Sequence, residues 1–286
     1  MFGNNTYWWL GLIIFLVFVG LNVLVFLLRN NPKISYLIAY VIAFYLLIEK
    51  IVEYTIYQAQ GEHLHIPLEF SALSYFIFAI LITFRVKKLD EFGAFVAMLA
   101  GLMYSVSFWV SPDTHVNDNA GNMVWFVLAA INHHLLYLGG LLIAANVKEY
   151  KWKSWWIFAV FIGIMVGYSW LLYGTTNYGA LYGKPIIIKI TDGSILEPLT
   201  HKAELEPWAL ALWVVGALSL LALLVAGFFL LNRWQVKRRE KKGVPADNFP
   251  PKWLDAFRFK SAPLNSQPAD DNTHGDGIGE QNKSEE

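Results

Sequence analysis

The first hydrophobic run of the chain, Tyr7–Leu28, reads YWWLGLIIFLVFVGLNVLVFLL and contains no charged residue. A helix needs about 20 consecutive apolar residues to cross the hydrocarbon core of a bilayer, so this run is long enough for one crossing. Six more runs of comparable length follow along the chain: Ile34–Tyr54, Ile66–Phe84, Phe92–Val110, Val124–Val147, Trp155–Tyr173 and Trp208–Leu231. The sequence therefore predicts an all-α, polytopic membrane protein with seven transmembrane helices.

The composition of the 286-residue chain points to the same class. Hydrophobic residues make up 56% and charged residues 15%, and the mean hydropathy is +0.42, which is too apolar for an ordinary soluble domain. Lysine plus arginine and aspartate plus glutamate both total 22, so no net positive charge would recruit a nucleic acid. The absence of cysteine excludes disulfides, thiolate metal sites and a cysteine nucleophile.

The distribution of positive charge predicts the orientation in the membrane. Lysine and arginine lie mainly in the C-terminal tail and in the connections after the first, third and fifth runs, as Arg29, Lys87 and Lys151 illustrate. Connections rich in these residues stay on the cytoplasmic side of a membrane. The N-terminus is therefore predicted outside, the C-terminus in the cytoplasm, and the protein in the plasma membrane.

The hydrophobic runs and the positions of the charged residues divide the chain into three regions. Residues 1–233 are predicted to form the seven-helix transmembrane domain, which includes an extracytoplasmic loop at residues 174–207. An alternating apolar stretch in this loop, Ile186–Ile190, is compatible with a hairpin or lid. Residues 234–286 form a cytoplasmic tail that is first basic and then disordered. Its basic part is expected to contact anionic lipid headgroups.

Ionisable residues at membrane depth are expensive, and each is therefore a candidate for function. In the second run Glu49 and Glu53 lie four residues apart on one helical face, and Lys50 precedes Glu53 by three. A Lys50–Glu53 ion pair is the structural interpretation of this pattern. It would leave Glu49 as an unpaired carboxylate.

Two further runs carry polar residues deep in the predicted bilayer. Glu69 and Ser71 lie near the start of the third run, and Asn132, His133 and His134 lie close to the middle of the fifth. Adjacent histidines on a helix point in different directions, so at least one of them is expected to line a cavity. Packing between helices is the alternative role for the histidines, and helix capping or packing is the alternative for Ser71.

These polar residues all fall in the outer halves of the predicted spans, whereas the inner halves contain no comparable cluster. One pocket open toward the outer side would explain the shared depth. The candidate substrate-binding residues of this pocket are Glu53, Tyr75, Ser107, Asn132, Tyr137, Asn177 and Tyr178.

Several motifs resemble those of the YwaF-like bacterial membrane proteins, a family related to a eukaryotic transmembrane acyltransferase that remodels ether phospholipids. The motifs are His65-Ile66-Pro67-Leu68-Glu69-Phe70-Ser71, Asn132-His133-His134, Asn177-Tyr178, Lys184-Pro185 and Pro207-Trp208. The resemblance implies an enzyme that transfers or hydrolyses acyl groups of membrane lipids. A cysteine follows the Pro-Leu segment in the eukaryotic relative, and this chain has Ser71 there, so a thioester mechanism does not transfer.

An acyl-transfer triad would need a nucleophile, a base and a carboxylate that orients the base. Ser71, either His133 or His134, and either Glu49 or Glu69 are the candidate catalytic residues, and no cofactor is required. A zinc hydrolase is a weaker alternative that would use three of His63, His65, His133 and His134 together with a carboxylate. A non-enzymatic transporter or ligand sensor is the main alternative from another functional class.

Overall fold

The computed structural model of the chain describes residues 7–61, 67, 70–86, 89–110, 112–118, 123–147, 149–175 and 207–243. All of these belong to the first of two compact units, Met1–Pro251, and the second unit, Lys252–Glu286, lies outside them. The predicted hairpin or lid at Ile186–Ile190 lies outside the described residues as well.

The described residues form eight α-helices and no β-strand, which confirms the predicted all-α class. The helices are α1 Trp8–Leu27, α2 Pro32–Ala59, α3 Phe70–Thr83, α4 Asp90–Val110, α5 Pro112–Asp118, α6 Met123–Leu142, α7 Trp155–Thr175 and α8 Pro207–Glu240. A π-helical turn, Ile143–Val147, extends α6, and short 3-10 turns follow α1 and precede α7.

Five helical segments among the described residues are long and apolar enough to cross a membrane. They are Trp8–Asn30, Pro32–Ala59, Asp90–Trp109, Met123–Val147 and Leu218–Glu240. Two shorter apolar helices, Phe70–Thr83 and Trp152–Met165, lie at the positions of the remaining predicted runs. A multi-pass membrane protein therefore fits the structure, and the count of seven crossings stays a prediction.

Two helices extend beyond their predicted ends. Helix α2 continues past Tyr54 to Ala59, and α8 continues past Leu231 to Glu240. The basic run in the last turns of α8 is a good helix former, and its positive charges interact favourably with the helix C-terminus. The tail that was predicted to start at residue 234 therefore begins as helix. The short helix α5 was not predicted.

Helix α3 ends in a Schellman motif that fixes the turn into α4. The N–H of Val86 donates to the carbonyl of Leu81 at 2.9 Å, and the N–H of Arg85 donates to that of Ile82 at 3.3 Å. Arg85 adopts a φ of 55°, the left-handed conformation that this motif requires. Helix α4 then begins at Asp90 with acidic residues in its first turn, where they complement the helix dipole.

Helices α4 and α6 form the centre of the bundle. Helix α4 contacts α1, α3, α6 and α7, and α6 contacts α1, α2, α3 and α4. The two helices approach closely at Gly140, where an added Cβ would lie 2.5 Å from the Ala94 carbonyl oxygen and 2.6 Å from the Met98 nitrogen. Small residues allow such backbone contact between membrane helices. The close approach sets the position of the polar residues on both helices.

A seam of phenylalanine rings joins α7 and α8 to this centre. Phe158 of α7 packs against Phe95 of α4 with ring centroids 5.2 Å apart, and Phe95 also contacts Phe228 of α8 at 5.4 Å. Phe229 contacts Phe158 at 5.1 Å. All four rings are buried. Edge-to-face aromatic packing of this kind holds helices together without any charged group.

The outer surface of the bundle is strongly apolar. Helix α1 exposes large side chains along most of its length, including Leu12, Leu16, Val23 and Leu27. A contiguous apolar surface of this size is unusual for a soluble monomer. Such a surface is expected for a protein that is surrounded by lipid chains.

Candidate functional site

A group of three charged residues lies on one face of α2. The Lys50 ammonium contacts the Glu53 carboxylate, as the predicted ion pair requires, and lies 3.4 Å from the Glu49 carboxylate. The prediction that Glu49 would be unpaired is therefore wrong, because one cation serves both acids. All three side chains are largely buried, with exposed fractions of 12% for Lys50 and 15% for each glutamate.

Lys50 links this group to α3 and then to α6. Its ammonium lies 4.6 Å from the ring centroid of Tyr75, a cation–π distance. The Tyr75 ring in turn meets the His133 ring edge to face at 5.2 Å. On its other side His133 stacks on Tyr104 of α4, with centroids 4.0 Å apart. Helices α2, α3, α4 and α6 therefore each contribute to one continuous set of contacts.

The two histidines of α6 are fixed in the same way by their own helix. The Nδ1 of His133 donates to the carbonyl of Ala129 at 2.8 Å, and that of His134 donates to the carbonyl of Ala130 at 2.6 Å. A carbonyl only accepts, so Nδ1 carries the proton and Nε2 presents a lone pair in the neutral ring. Each imidazole is thus held in the state that accepts a proton or coordinates a metal.

We call Glu49, Lys50, Glu53, Tyr75, Tyr104, His133 and His134 the histidine cluster. Two of its buried polar atoms have no hydrogen-bond partner among the described residues, Tyr75 Oη and His134 Nε2, whereas Glu49 Oε2 has the Lys50 ammonium at 3.4 Å. Buried polar groups in native proteins are nearly always hydrogen-bonded, so atoms left without a partner indicate a place for a ligand or water. The cluster contains a phenol and an imidazole in this condition.

The remaining polar residues of α6 connect it to α1 and α2. Asn132 accepts a hydrogen bond from the Tyr45 hydroxyl at 3.3 Å, and the Tyr137 hydroxyl donates to Asn22 at 3.0 Å. Asn132 is buried, with 1% of its surface exposed, so its amide has little access to a substrate. Both residues therefore have structural partners that orient α6.

The two serines among the candidate residues lie in different surroundings. Ser71 is half-buried in the first described turn of α3 and makes no hydrogen bond to another described residue. Ser107 bonds His115 of α5, with Oγ and Nε2 3.0 Å apart. Ser107 therefore belongs to the contact between α4 and α5. The same His115 ring also contacts the ring of Tyr104, which is a member of the histidine cluster.

Several candidate residues lie outside the described part of the chain. They are Glu69 among the catalytic candidates, Asn177 and Tyr178 among the binding candidates, and His63 and His65 of the zinc alternative. No group of three histidine, aspartate or glutamate side chains among the described residues is arranged to hold a metal ion. The zinc alternative depends on His63 and His65 and stays a prediction.

A shallow apolar groove of about 340 Å³ runs along α1. Its walls are formed by Phe15, Phe18, Val19, Asn22, Val23 and Phe26. Asn22 is the polar residue in this wall, and it accepts the hydrogen bond from Tyr137, which follows His133 by one helical turn. One residue of the groove wall is therefore bonded to α6.

A second buried polar cluster lies at the opposite end of the bundle, where none was expected. The Asn232 side chain of α8 donates to the Ala144 carbonyl at 2.7 Å and accepts the Tyr150 N–H at 2.8 Å. The Ala144 carbonyl belongs to the π-helical turn of α6, and π-turns loosen the regular backbone bonding of a helix. This cluster was not predicted from the sequence, and three of its residues lie outside the predicted spans.

Asn146 extends this second cluster to α1 and α2. Its side chain donates to the Val25 carbonyl at 2.9 Å and to the Ser35 hydroxyl at 3.2 Å, and the main-chain carbonyl of Asn146 accepts from the Arg239 guanidinium. We call Ser35, Asn146, Tyr150, Asn232 and Arg239 the asparagine network, and every member is buried. Burial raises the pKa of the Tyr150 phenol well above its ordinary value, so this hydroxyl stays neutral.

A polar residue in an otherwise apolar run was the available sequence signal for this network, and Asn146 and Asn232 each provide it. Their partners are more than 80 positions away in the chain, at |i−j| of 121, 111 and 82. No local pattern connects residues at such separations. Comparisons of the chain with protein-family models, with curated proteins and with solved structures gave no match.

Proposed function

We propose that this chain is a membrane-embedded enzyme that acts on a lipid by acyl transfer or hydrolysis, with a histidine of α6 as the general base. The observation that carries the proposal is the pair of buried, unpartnered polar atoms in the histidine cluster, Tyr75 Oη and His134 Nε2. Leaving such atoms without a hydrogen bond costs about 1–3 kcal/mol each. A polar ligand between the helices would remove this cost.

The orientation of His134 supports its role as the base. Its Nδ1 is bonded to Ala130, and its buried Nε2 is free to accept a proton. The acceptor hydroxyl gives its proton to Nε2 while its oxygen forms a bond to the acyl carbonyl carbon. The ester bond to the donor then breaks, and the departing oxygen takes the proton back from the imidazolium. The acceptor is a second lipid in a transfer and water in a hydrolysis.

The reaction has two forms, which differ in the role of Ser71. In the first form His134 or His133 activates the acceptor directly. In the second form the Ser71 hydroxyl is the first acceptor and carries the acyl group before the final transfer. The Ala129 or Ala130 carbonyl, which accepts from Nδ1, orients the histidine in place of the carboxylate of Glu49 or Glu69 that was predicted for this role. The variant Ser71→Ala distinguishes them, because activity persists in the first form and is abolished in the second.

The groove along α1 supports a lipid as the substrate. Five of its six lining residues are apolar, and Asn22 connects its wall to Tyr137 on the helix that carries the histidines. An acyl chain can enter such a groove sideways from the bilayer without crossing water. We infer that the groove holds the acyl chain of the donor and directs its ester toward α6.

The proposal includes the predicted arrangement in the plasma membrane. The chain crosses seven times, with the N-terminus outside and the C-terminus in the cytoplasm, and the histidine cluster then lies in the outer half. The segments Phe70–Thr83 and Trp152–Met165 supply the two crossings beyond the five long helices. The resemblance to the YwaF-like family belongs to the same proposal.

A lipidomic comparison tests the function. Cells that express the wild-type protein are compared with cells that express His134→Gln or the control His115→Gln at equal levels. General base catalysis contributes about 100-fold or more to a rate, so His134→Gln should abolish the change in acyl composition that the wild type causes. The control should keep it, because the Nε2 of His115 is already bonded to Ser107 at 3.0 Å.

An assay with purified protein in lipid nanodiscs identifies the reaction. The acyl product is followed by mass spectrometry with a lysolipid as the added acceptor. A wild-type protein that forms no product, or a His134→Gln variant as active as the wild type, would refute the proposed base. Activity that is lost on chelation and restored by zinc would favour the metal hydrolase.

The charged group of α2 favours a second candidate function. One lysine ammonium contacts the carboxylates of two glutamates within the span. Intramembrane charges of this kind mark solute pathways in transporters. Solute uptake into proteoliposomes without any lipid product would establish this transporter or sensor function.

A further inference from the structure

Arg239 of α8 is a buried cation without a counter-ion among the described residues. Only 3% of its surface is exposed. One guanidinium nitrogen donates to the Asn146 carbonyl, whereas Nε and Nη2 are buried and have no hydrogen-bond partner. Two arginine donors in this condition are costly, because a buried charge requires pairing and full hydrogen bonding.

The surroundings hold Arg239 in place by means of neutral groups. Asn146, which accepts from Arg239, is itself bonded to the Val25 carbonyl of α1 and to Ser35 of α2. No described carboxylate lies within ion-pair distance of Arg239, and the adjacent Glu240 is exposed. The asparagine network therefore positions the guanidinium but leaves its charge uncompensated.

Two more arginines, Arg29 and Arg238, lie near the C-terminal end of α1, where the Val25 carbonyl bonds Asn146. The guanidinium carbon of Arg29 lies 3.6 Å from the ring centroid of Phe26, and that of Arg238 lies 5.5 Å from the same ring. Arg29 also has one buried nitrogen, Nη1, without a hydrogen-bond partner. We call Arg29, Arg238 and Arg239 the arginine cluster. It combines three positive charges from two helices with three unpartnered buried donors.

We propose that the arginine cluster is a binding site for a phosphate group, either of a lipid headgroup or of free phosphate. Planar guanidinium groups bind phosphate oxygens through paired, charge-assisted hydrogen bonds, and Nε with one terminal nitrogen of Arg239 forms such a pair. The phosphate compensates the charge that the asparagine network leaves open. This site lies at the end of the bundle opposite to the histidine cluster and does not depend on the proposed enzyme function.

The site can be tested with the full chain in nanodiscs of defined composition. In the first arm the lipid is phosphatidylcholine alone, and inorganic phosphate is titrated with calorimetric detection. In the second arm the nanodiscs contain phosphatidic acid at a low fraction and the buffer contains no phosphate. Retention of phosphatidic acid after transfer to detergent is then measured by native mass spectrometry.

The variants Arg29→Gln, Arg238→Gln and Arg239→Gln are compared with Arg233→Gln. The control removes the same charge from an exposed position of the same helix. Each cluster variant should weaken binding by about tenfold, because hydrogen bonds between charged groups are the strong ones. The control should bind like the wild type.

The two arms identify the source of the phosphate. Retention of phosphatidic acid that the cluster variants lose supports a lipid headgroup, and binding of inorganic phosphate that they lose supports the free anion. The absence of binding in both arms would overturn the site. Equal weakening by Arg233→Gln would also overturn it, since binding would then follow total charge. If Arg239→Gln does not fold, Arg29→Gln and Arg238→Gln decide the result.

Discussion

At the scale of single residues, Lys50 controls the charge balance of the histidine cluster. It compensates two carboxylates, of Glu49 and Glu53, that would otherwise face each other in a medium of low dielectric constant. Removing one partner from a buried ion pair is much more destabilising than replacing the whole group by neutral residues. The stability of this part of the bundle therefore depends on one side chain.

The variant Lys50→Met should lower the free energy of unfolding by about 3 kcal/mol, because it leaves both carboxylates without a cation. Methionine keeps the length of the lysine stem, so packing is preserved. Thermal unfolding of the purified protein in nanodiscs measures the effect. The control is the triple variant Glu49→Gln, Lys50→Met, Glu53→Gln, which carries no charge and should regain most of the loss. A triple variant no more stable than Lys50→Met would contradict this explanation.

In the asparagine network, Asn232 is the residue that satisfies two buried main-chain groups. The variant Asn232→Leu keeps the volume but leaves the Ala144 carbonyl and the Tyr150 N–H without their bonds at 2.7 and 2.8 Å. We expect a loss of about 2 kcal/mol in stability, the cost of unsatisfied buried groups. Asn30→Leu changes an exposed asparagine in the same way and should be nearly neutral. Thermal unfolding of both variants under identical conditions makes the comparison, and equal losses would refute the assignment.

At the scale of helices, the contact of α4 with α6 decides where the histidines lie. Gly140 touches the α4 backbone, and Gly101 touches the α6 backbone, where an added Cβ would lie 2.5 Å from the His133 carbonyl oxygen. Backbone atoms cannot rotate away as a side chain does, so any added atom separates the helices. His133 and His134 would then move relative to Tyr104 and Tyr75.

The variant Gly140→Ala should therefore reduce stability by about 1–3 kcal/mol, the usual cost of overpacking a close contact. Gly163→Ala in α7 is the matched control, because an added Cβ there meets no atom within 4 Å. It should be neutral or slightly stabilising, since alanine favours helix more than glycine does. Unfolding in denaturing detergent compares the pair. A Gly140→Ala protein as stable as the wild type would show that α4 and α6 lie further apart than described.

At the scale of the whole molecule, the orientation in the membrane can be tested with single cysteines. The chain has no native cysteine, so only the introduced thiol reacts. In intact cells an impermeant maleimide should label Asn117→Cys between the fourth and fifth predicted spans and should not label Val86→Cys between α3 and α4. Both positions are exposed. Permeabilised cells should show labelling of both, and labelling of Val86→Cys in intact cells would reverse the predicted orientation.

The sequence alone determined the helical class and the positions of the long apolar segments. Hydrophobic length is a property of consecutive residues, so Tyr7–Leu28 could be recognised as a span without knowledge of its neighbours. The Lys50–Glu53 pair was equally accessible, because residues three apart on a helix lie on the same face. Local spacing was sufficient for both predictions.

Only the tertiary structure decided which polar residues meet. His133 lies between Tyr75 and Tyr104 because α3 and α4 pack on α6, and Arg239 reaches Asn146 because α8 crosses the π-turn of α6. Such contacts join positions far apart in the chain and depend on helix packing, which no local spacing encodes. The partners within the asparagine network and the arginine cluster could therefore not be predicted from the sequence, since these contacts exist only where separate helices bury their polar groups against each other.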